Sequence, residues 1–300
     1  MAGGSTRVIL TALAANVGIA IAKFVAAGIT GSSAMLTEGV HSLVDSANHG
    51  ILLYGTNRSH KPADGIHPLG YGRELYFWSF VVAILVFALG AGVALYEGIL
   101  HILHPEHGTD PMVAYIVLGV AFALESWSTW EAMKSFNGAR GTQSFWQALR
   151  NSKDAPTIIV LLENGGALSG LAIAAVGIAL SQWTHNPVWD GVASVLIGLV
   201  LAAVAILLCI EAKGLLIGES ADVDMVEALR LSAASHAGVT KVHEVLTVHH
   251  APDQIVSVIS ADFDDDISAA DVERIIRDIE AKVAKEFPVV TRLYVRPMSA

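Results

Sequence analysis

Six stretches of this chain, roughly 7–29, 33–57, 74–103, 112–134, 157–182 and 188–216, are mostly apolar and long enough to cross a bilayer. A spanning helix needs about 20 such residues. Inside hydrocarbon it must satisfy every backbone N–H and C=O within itself. Turn-rich segments separate the stretches: Gly31-Ser32-Ser33, Lys61-Pro62-Ala63-Asp64-Gly65, His104-Pro105-Glu106-His107-Gly108, Asn137-Gly138 through Gly141, and His185-Asn186-Pro187. The predicted architecture is therefore an all-α six-helix transmembrane bundle over residues 1–217, followed by a soluble domain over 218–300.

Composition supports that division. The 300 residues are 53% hydrophobic and 15% charged, with a mean hydropathy of +0.55, whereas a soluble domain carries about 25% charged residues. An ordinary cytosolic enzyme, a disordered regulator and a collagen-like fibre are excluded. The net charge of −10 excludes a nucleic-acid partner, which calls for a basic face. Thirteen acids face ten Lys and Arg up to residue 218, against fifteen and eight beyond it, so the excess acid sits in the soluble part. The single cysteine, Cys209, has no internal disulfide partner and lies in an apolar run.

The cations give the orientation. With the N-terminus inside, the cytoplasmic segments carry Arg7, Arg58, Lys61, Arg73, Lys134, Arg140, Arg150, Lys153 and Lys213, while the opposite loops near Gly31, His104 and His185 carry no Lys or Arg. Both termini are thus expected in the cytoplasm. The apolar run from Val8 exceeds a signal-peptide core and no A-x-A site ends it, so no cleavable signal is expected. Lys23, inside the first span, is the exception; it either snorkels or faces a polar interior. Tyr76, Phe77, Trp78, Trp183 and Trp189 read as interfacial anchors.

A charge in hydrocarbon costs at least ~2.5 kcal/mol, so its presence calls for a reason. The second span holds Glu38, His41, Asp45, Asn48 and His49, whose offsets of three and four put them on one helical face. His41 and Asp45, one turn apart, can aim an imidazole and a carboxylate at one point. The fifth span adds Glu163 and Asn164 after an apolar run. Nitrogen and oxygen donors from two helices suit a tetrahedral Zn²⁺ shell. Glu38 and His49 either line the mouths of such a path or pair with lipid headgroups and backbone.

The run Gly31-Ser32-Ser33-Ala34-Met35-Leu36-Thr37-Glu38-Gly39-Val40-His41-Ser42-Leu43-Val44-Asp45 closely resembles the second-span signature of the cation diffusion facilitator family of metal/proton antiporters. His67-Pro68-Leu69-Gly70-Tyr71-Gly72-Arg73 is similar to that family's segment before its third span, and Asp190, Gly191 and Ser194 to the start of its sixth. The resemblance implies a transport site of two ligands from span two, here His41 and Asp45, and two from span five. Glu163 matches the acidic span-five position, but Ile159 stands where many members have His or Asp. The fourth ligand is therefore open among Asn164, water and a backbone carbonyl. Lys153-Asp154-Ala155-Pro156 with Leu161-Leu162-Glu163-Asn164 is more similar to the branch of the animal mitochondrial and endoplasmic-reticulum member.

The resemblance also points to a second metal site in the loop before span three, with Asp64 and His67 as candidates; its third position is Tyr71 here, and a turn at Asp64-Gly65 is the alternative. His101, His104 and His107 are spaced around Pro105, which breaks helical spacing and favours an exposed loop. The run Asp262, Asp264, Asp265 and Asp266 lacks the Gly and Glu of a calcium loop and reads as a strand end before a helix. Gly90 to Gly92 and Gly165 to Gly170 read as close helix contacts. In the tail, a helix over 222–236, strands over 242–248 and 255–263, a helix over 269–287 and a strand over 289–295 give the order αββαβ. That order matches the ferredoxin-like (αββαβ) cytoplasmic domain through which the family forms homodimers. His243, His249 and His250 are candidate regulatory ligands there.

The expected function is efflux of a divalent transition metal, Zn²⁺ first and Mn²⁺ or Fe²⁺ as alternatives, by proton antiport. Metal binds only deprotonated carboxylates and neutral imidazole, so loading and unloading exchange protons. No enzyme chemistry and no cofactor are expected; the ion is cargo, H⁺ is the counter-ion and the partners are membrane lipid and a second copy. The cell (inner) membrane of a bacterium is the expected location. A metalloenzyme is disfavoured by the lack of an H-E-x-x-H helix. A membrane metal sensor is the rival that moves its tail without flux.

Overall fold

The computed structural model describes residues 2–30, 33–105 and 111–299, with the side chains of 2–4, 30, 33–38, 40, 41 and 111 outside the description. Two compact units result. One comprises Met1–His60 with Glu74–Lys213, the other Lys61–Arg73 with Gly214–Ala300.

The first unit is helical: α1 (Ala2–Thr30), α2 (Ser33–Ser59), α3 (Glu74–Leu85), α4 (Gly92–Leu103), α5 (Pro111–Ala139), α6 (Phe145–Asn151), α7 (Ala155–Thr184) and α8 (Val188–Ile217). A π-helical segment, Val86–Ala91, joins α3 to α4, so they form one rod over Glu74–Leu103. Among the described residues five helices are long and apolar enough to cross a membrane: Ser5–Ile29, Glu74–Leu103, Met112–Ala139, Ala155–Thr184 and Val188–Ile217. The predicted second span is present as α2 but falls outside that set, because it carries Asp45, Asn48 and His49 in its apolar run.

Packing follows the side chains. Helix α1 turns Val8, Ile9, Ala12, Ala15, Asn16, Ile19 and Ala20 inward and leaves Leu10, Val17, Ile21 and Val25 exposed. Such an apolar outer face suits lipid rather than water. Helix α1 packs on α2 and α5, α5 on α7, and α3 on both α2 and α7. The core joins Ile9, Leu52, Val82, Phe136, Ile158 and Leu208 from six helices. Helix α8 approaches α4 where Gly98 meets Val195 and Gly191 meets Ile102, the close contact that small residues permit.

Two expectations shift here. Asn137 and Gly138 continue α5 to Ala139 instead of breaking it, and the short α6 follows, capped by Ser144 Oγ accepting from Gln147 N–H. Tyr76 is fully buried rather than an interfacial anchor. Trp78 donates its Nε1–H to Glu74 Oε2 at 2.7 Å and lies edge-on to Tyr54.

The second unit contains α9 (Val223–Ala234), β1 (Val239–Ala251), β2 (Gln254–Phe263), α10 (Ala269–Glu286) and β3 (Val290–Pro297), so the order αββαβ is present. The sheet runs β1-β2-β3, with β1 antiparallel and β3 parallel to β2. Its core gathers Leu229, Ile255, Ile259, Ile275, Ile279 and Val283. The acid run ends β2 and a turn; Ser268 then caps α10 by accepting from Asp271 N–H. Strand β1 extends beyond 242–248 at both ends, pairing Val239 with Phe263 and His249 with Ile255.

Candidate metal centre

Helix α2 positions the acidic and imidazole groups by its period. Asp45 and His49 lie one turn apart, with Asp45 half-buried, Asn48 buried and His49 wholly inaccessible. From α7, Glu163 meets this face: its Oε2 is 3.8 Å from His49 Nδ1. Among the described residues neither atom makes a hydrogen bond, although buried polar atoms are ordinarily satisfied. On the other side of the ring, Asn16 of α1 holds His49 Nε2 at 3.3 Å. A hydrogen bond to one imidazole nitrogen sets what the other presents.

Helix α5 adds a group that the sequence reading missed. Glu125 is only 6% exposed and stands within electrostatic range of Asp45, Glu163 and Lys23. Acids from α2, α5 and α7 thus lie within electrostatic range of one another. A carboxylate at the end of the apolar run Met112–Leu124 was the available signal. Lys23 faces this polar interior, donating from Nζ to Ser42 Oγ at 2.8 Å.

The predicted ligands are distributed as follows. Asp45 and Glu163 are brought into one neighbourhood. His41 lies on α2, one turn before Asp45, but its side chain is outside the described residues, as is that of Glu38. Asn164 is buried and turned toward α5. Its amide oxygen accepts from Ser128 Oγ–H at 2.7 Å and Thr129 N–H at 3.3 Å, while its NH₂ donates to the Val160 carbonyl at 3.2 Å. Among the described residues, no three His, Cys, Asp or Glu form a metal-holding group. A surface cleft lined by Arg7, His60 and Trp127 lies elsewhere, against the start of α1.

In the second unit, Asp64 organises its loop. Oδ1 accepts from the backbone N–H of Ile66 at 3.0 Å and His67 at 2.8 Å, and Oδ2 accepts from Tyr71 O–H at 2.7 Å. The Tyr71 bond above all, and the two backbone donors, hold this carboxyl far below the usual carboxylate range. His67 Nδ1 lies 3.7 Å from Asp64 Oδ1 and its ring packs on Tyr71. His101 and His104 close α4, and His107 is outside the described residues.

His249 and His250 do not converge on a common point: Nδ1 of His249 faces the Ala251 carbonyl at 3.2 Å, and Nε2 of His250 faces the Gly70 carbonyl at 3.4 Å. A Cβ at Gly72 would come within 2.9 Å of His250 and Ala251, so the loop reaches the strand only with glycine there. Burial first, and the nearby Arg73, hold the His250 imidazole below its ordinary value against the opposing Gly70 bond. A depressed imidazole means that the unfolded chain binds the proton more readily. The stability it contributes is complete above about 6.5 and is lost as pH falls through the lower folded value. The protection factors of the amides in residues 70–72, which correct for the intrinsic pH dependence of exchange, are therefore expected to fall between pH 7 and pH 5, with a weaker pH dependence in His250→Gln. An unchanged slope in that variant contradicts the assignment.

The comparisons with known proteins point the same way. The model of the cation efflux transmembrane domain matches residues 9–217. The mouse mitochondrial proton-coupled zinc antiporter SLC30A9 is 31% identical over 245 residues, covering 81% of this chain and 43% of that protein. Metal tolerance protein C4 of Arabidopsis thaliana is 31% identical over 220 residues, covering 73% and 48%. The magnetosome protein MamB of Magnetospira sp. is 28% identical over 235 residues, covering 76% and 73%. The chain thus spans less than half the length of the zinc antiporter and the metal tolerance protein.

Proposed function

The chain belongs to the cation efflux family, whose members are membrane transporters and not enzymes, and on that footing we propose that it exports a divalent transition metal in exchange for protons. Zn²⁺ is the first candidate cargo, with Mn²⁺ and Fe²⁺ as alternatives. The observation that carries this reading is that Asp45, Glu125 and Glu163, from three helices, lie within electrostatic range of one another, with His49 Nδ1 3.8 Å from Glu163 Oε2. Ionisable groups at membrane depth mark ion paths, and imidazole with carboxylate suits zinc, while a carboxylate-rich shell also suits manganese. The zinc antiporter among the relatives supports the same cargo.

His41, Asp45 and Glu163 are the proposed ligands. Asn164 is the fourth candidate, but to bind it must leave Ser128 and Val160. His49 competes for that place: its Nδ1 and the Glu163 oxygen face each other without hydrogen bonds, and Asn16 behind it is the kind of outer partner that orients a ligating imidazole. Metal requires these groups deprotonated, so proton gain at the far side releases it. Helix α2 serves as the sixth span, its polar residues being the site itself. Both termini are proposed in the cytoplasm of a bacterial cell, with 1–217 as transport domain and 218–300 as a ferredoxin-like homodimer domain. Asp64 and His67 remain the candidate loop site, and a metal there must displace the Tyr71 bond.

The test is metal uptake into proteoliposomes under an imposed pH gradient, with Zn²⁺, Mn²⁺ and Fe²⁺ compared. Gradient-dependent uptake of Zn²⁺ is expected. Metal-dependent tail movement without flux instead supports a sensor.

A further inference from the structure

The cleft against the start of α1 takes no part in the metal site, and all of it lies within the first unit. It holds about 580 Å³, and its walls include Arg7, Leu10, Thr11 and Ala14 of α1, His60 just past α2, and Trp127 of α5. Small-ligand sites occupy about 300–1,000 Å³. The lining is graded. Arg7 stands in the first turn of the span Ser5–Ile29, and with His60 it makes one end polar. Leu10 and Ala14 follow Arg7 at offsets of three and four, so they share its face. Ala14 lies about 10 Å further along the axis. The exposed Val17, Ile21 and Val25 continue that outward stripe. A face that passes from charge to hydrocarbon suits a ligand with a polar head and an apolar tail.

The polar end carries both signs of charge. Arg7 Nη2 donates to Glu131 Oε1 at 3.2 Å, the two side chains being 68% and 17% exposed. Glu131 follows Trp127 by one turn of α5. A guanidinium has more N–H donors, and a carboxylate more lone pairs, than this one bond uses. Each can therefore take a second partner. His60 Nδ1 donates to the Thr56 carbonyl at 2.6 Å, since a carbonyl only accepts, and Nε2 is the ring atom left to meet a ligand. A head that is purely anionic meets a guanidinium already compensated by Glu131. A head with a phosphate and a primary ammonium supplies a partner to each member of the pair. Trp127, half-exposed, offers an indole face to that ammonium and is a residue type that favours the membrane interface.

We propose that this cleft seats one phospholipid with an ethanolamine headgroup, its phosphate on Arg7, its ammonium on Glu131 and its acyl chains along Leu10, Ala14 and the stripe beyond. The lipid bridges α1, α5 and the end of α2, and it stabilises the folded chain by mass action. Its binding does not depend on the metal reading, because no proposed ligand lines the cleft.

The experiment is native mass spectrometry of the delipidated full chain in detergent, with dioleoyl phosphatidylethanolamine, phosphatidylcholine and phosphatidylglycerol in competition. One ethanolamine lipid is expected to bind about fivefold more tightly than either rival, the scale of one exposed ion pair. The choline head has no N–H to donate, and the glycerol head has no cation. Glu131→Gln should bring the three lipids to within about twofold of one another. Arg7→Gln should weaken all three by a similar factor, because each presents a phosphate. Ala14→Trp fills the seat from an exposed position and should abolish the tight binding. Trp130→Leu, at an exposed position of α5 outside the cleft, should leave the preference intact. Equal binding of the three lipids by the native chain overturns the proposal, as does a preference that survives Glu131→Gln or Ala14→Trp. Should Glu131→Gln fail to fold, the native series and Ala14→Trp decide. Glycerophosphoethanolamine, the same head without acyl chains, should not displace the lipid at equal concentration; displacement makes the occupant a soluble phosphate ester and overturns the lipid assignment.

Discussion

Proteoliposomes containing Asp45→Asn or Glu163→Gln are expected to take up Zn²⁺ at no more than about one hundredth of the native rate under a pH gradient, the scale of an interaction worth several kcal/mol. Both substitutions preserve shape and remove one charge. Even at an effective dielectric of about 20, unit charges ~4 Å apart interact by about 4 kcal/mol, roughly a thousandfold in binding. The loss is thus far larger than any repacking of an isosteric side chain. Thermal unfolding in detergent separates the two effects: in Glu163→Gln the midpoint should stay near native or rise, because among the described residues Glu163 Oε2 lies buried without a hydrogen bond. Uptake above about half of native in both variants would place the metal elsewhere, since losing a charged donor from the shell costs far more than a factor of two.

The sequence carried the bundle further than the site. Length and apolar content are enough to mark α1, the rod of α3 and α4, α5, α7 and α8, because a span must satisfy a single requirement. Alternation and helical spacing gave the αββαβ tail for the same reason, each element hiding one face. What composition does not encode is which way a polar group in a uniformly apolar helix points. Nothing in the sequence analysis singles out Glu125; the packing of α5 beside α1 and α7 brings it within electrostatic range of Asp45 and Glu163. Lys23 could snorkel or turn inward, and the bond to Ser42 decides it.

His49 shows the limit most clearly. Its place on the Asp45 face of α2 was legible, but its opposition to Glu163 depends on how α2 and α7 are brought together. The π-helical segment at Val86–Ala91 and the allegiance of the 61–73 loop to the tail unit likewise depend on contacts distant in sequence. For Asn164, spacing placed it beside Glu163, yet adjacent residues on a helix point about 100° apart, and its amide is taken by α5.

Helix contact supplies the second large expected effect. Gly98→Leu should destabilise the full chain by about 3 kcal/mol, the upper part of the range for overpacking, read as a lowered unfolding midpoint in detergent. A Cβ at Gly98 would lie 2.7 Å from the backbone nitrogen of Val195, and one at Gly191 would lie 2.8 Å from that of Ile102. Backbone atoms have no rotamer by which to retreat, so α4 and α8 must separate, and with them the packing that small residues permit. Gly119 is the matched control, because nothing lies within 4 Å of a Cβ there. Gly119→Ala should leave the midpoint unchanged or raise it, since alanine is favoured over glycine by up to about 1 kcal/mol within a helix. Equal behaviour of the two sites would mean that α4 and α8 do not cross where Gly98 and Gly191 meet.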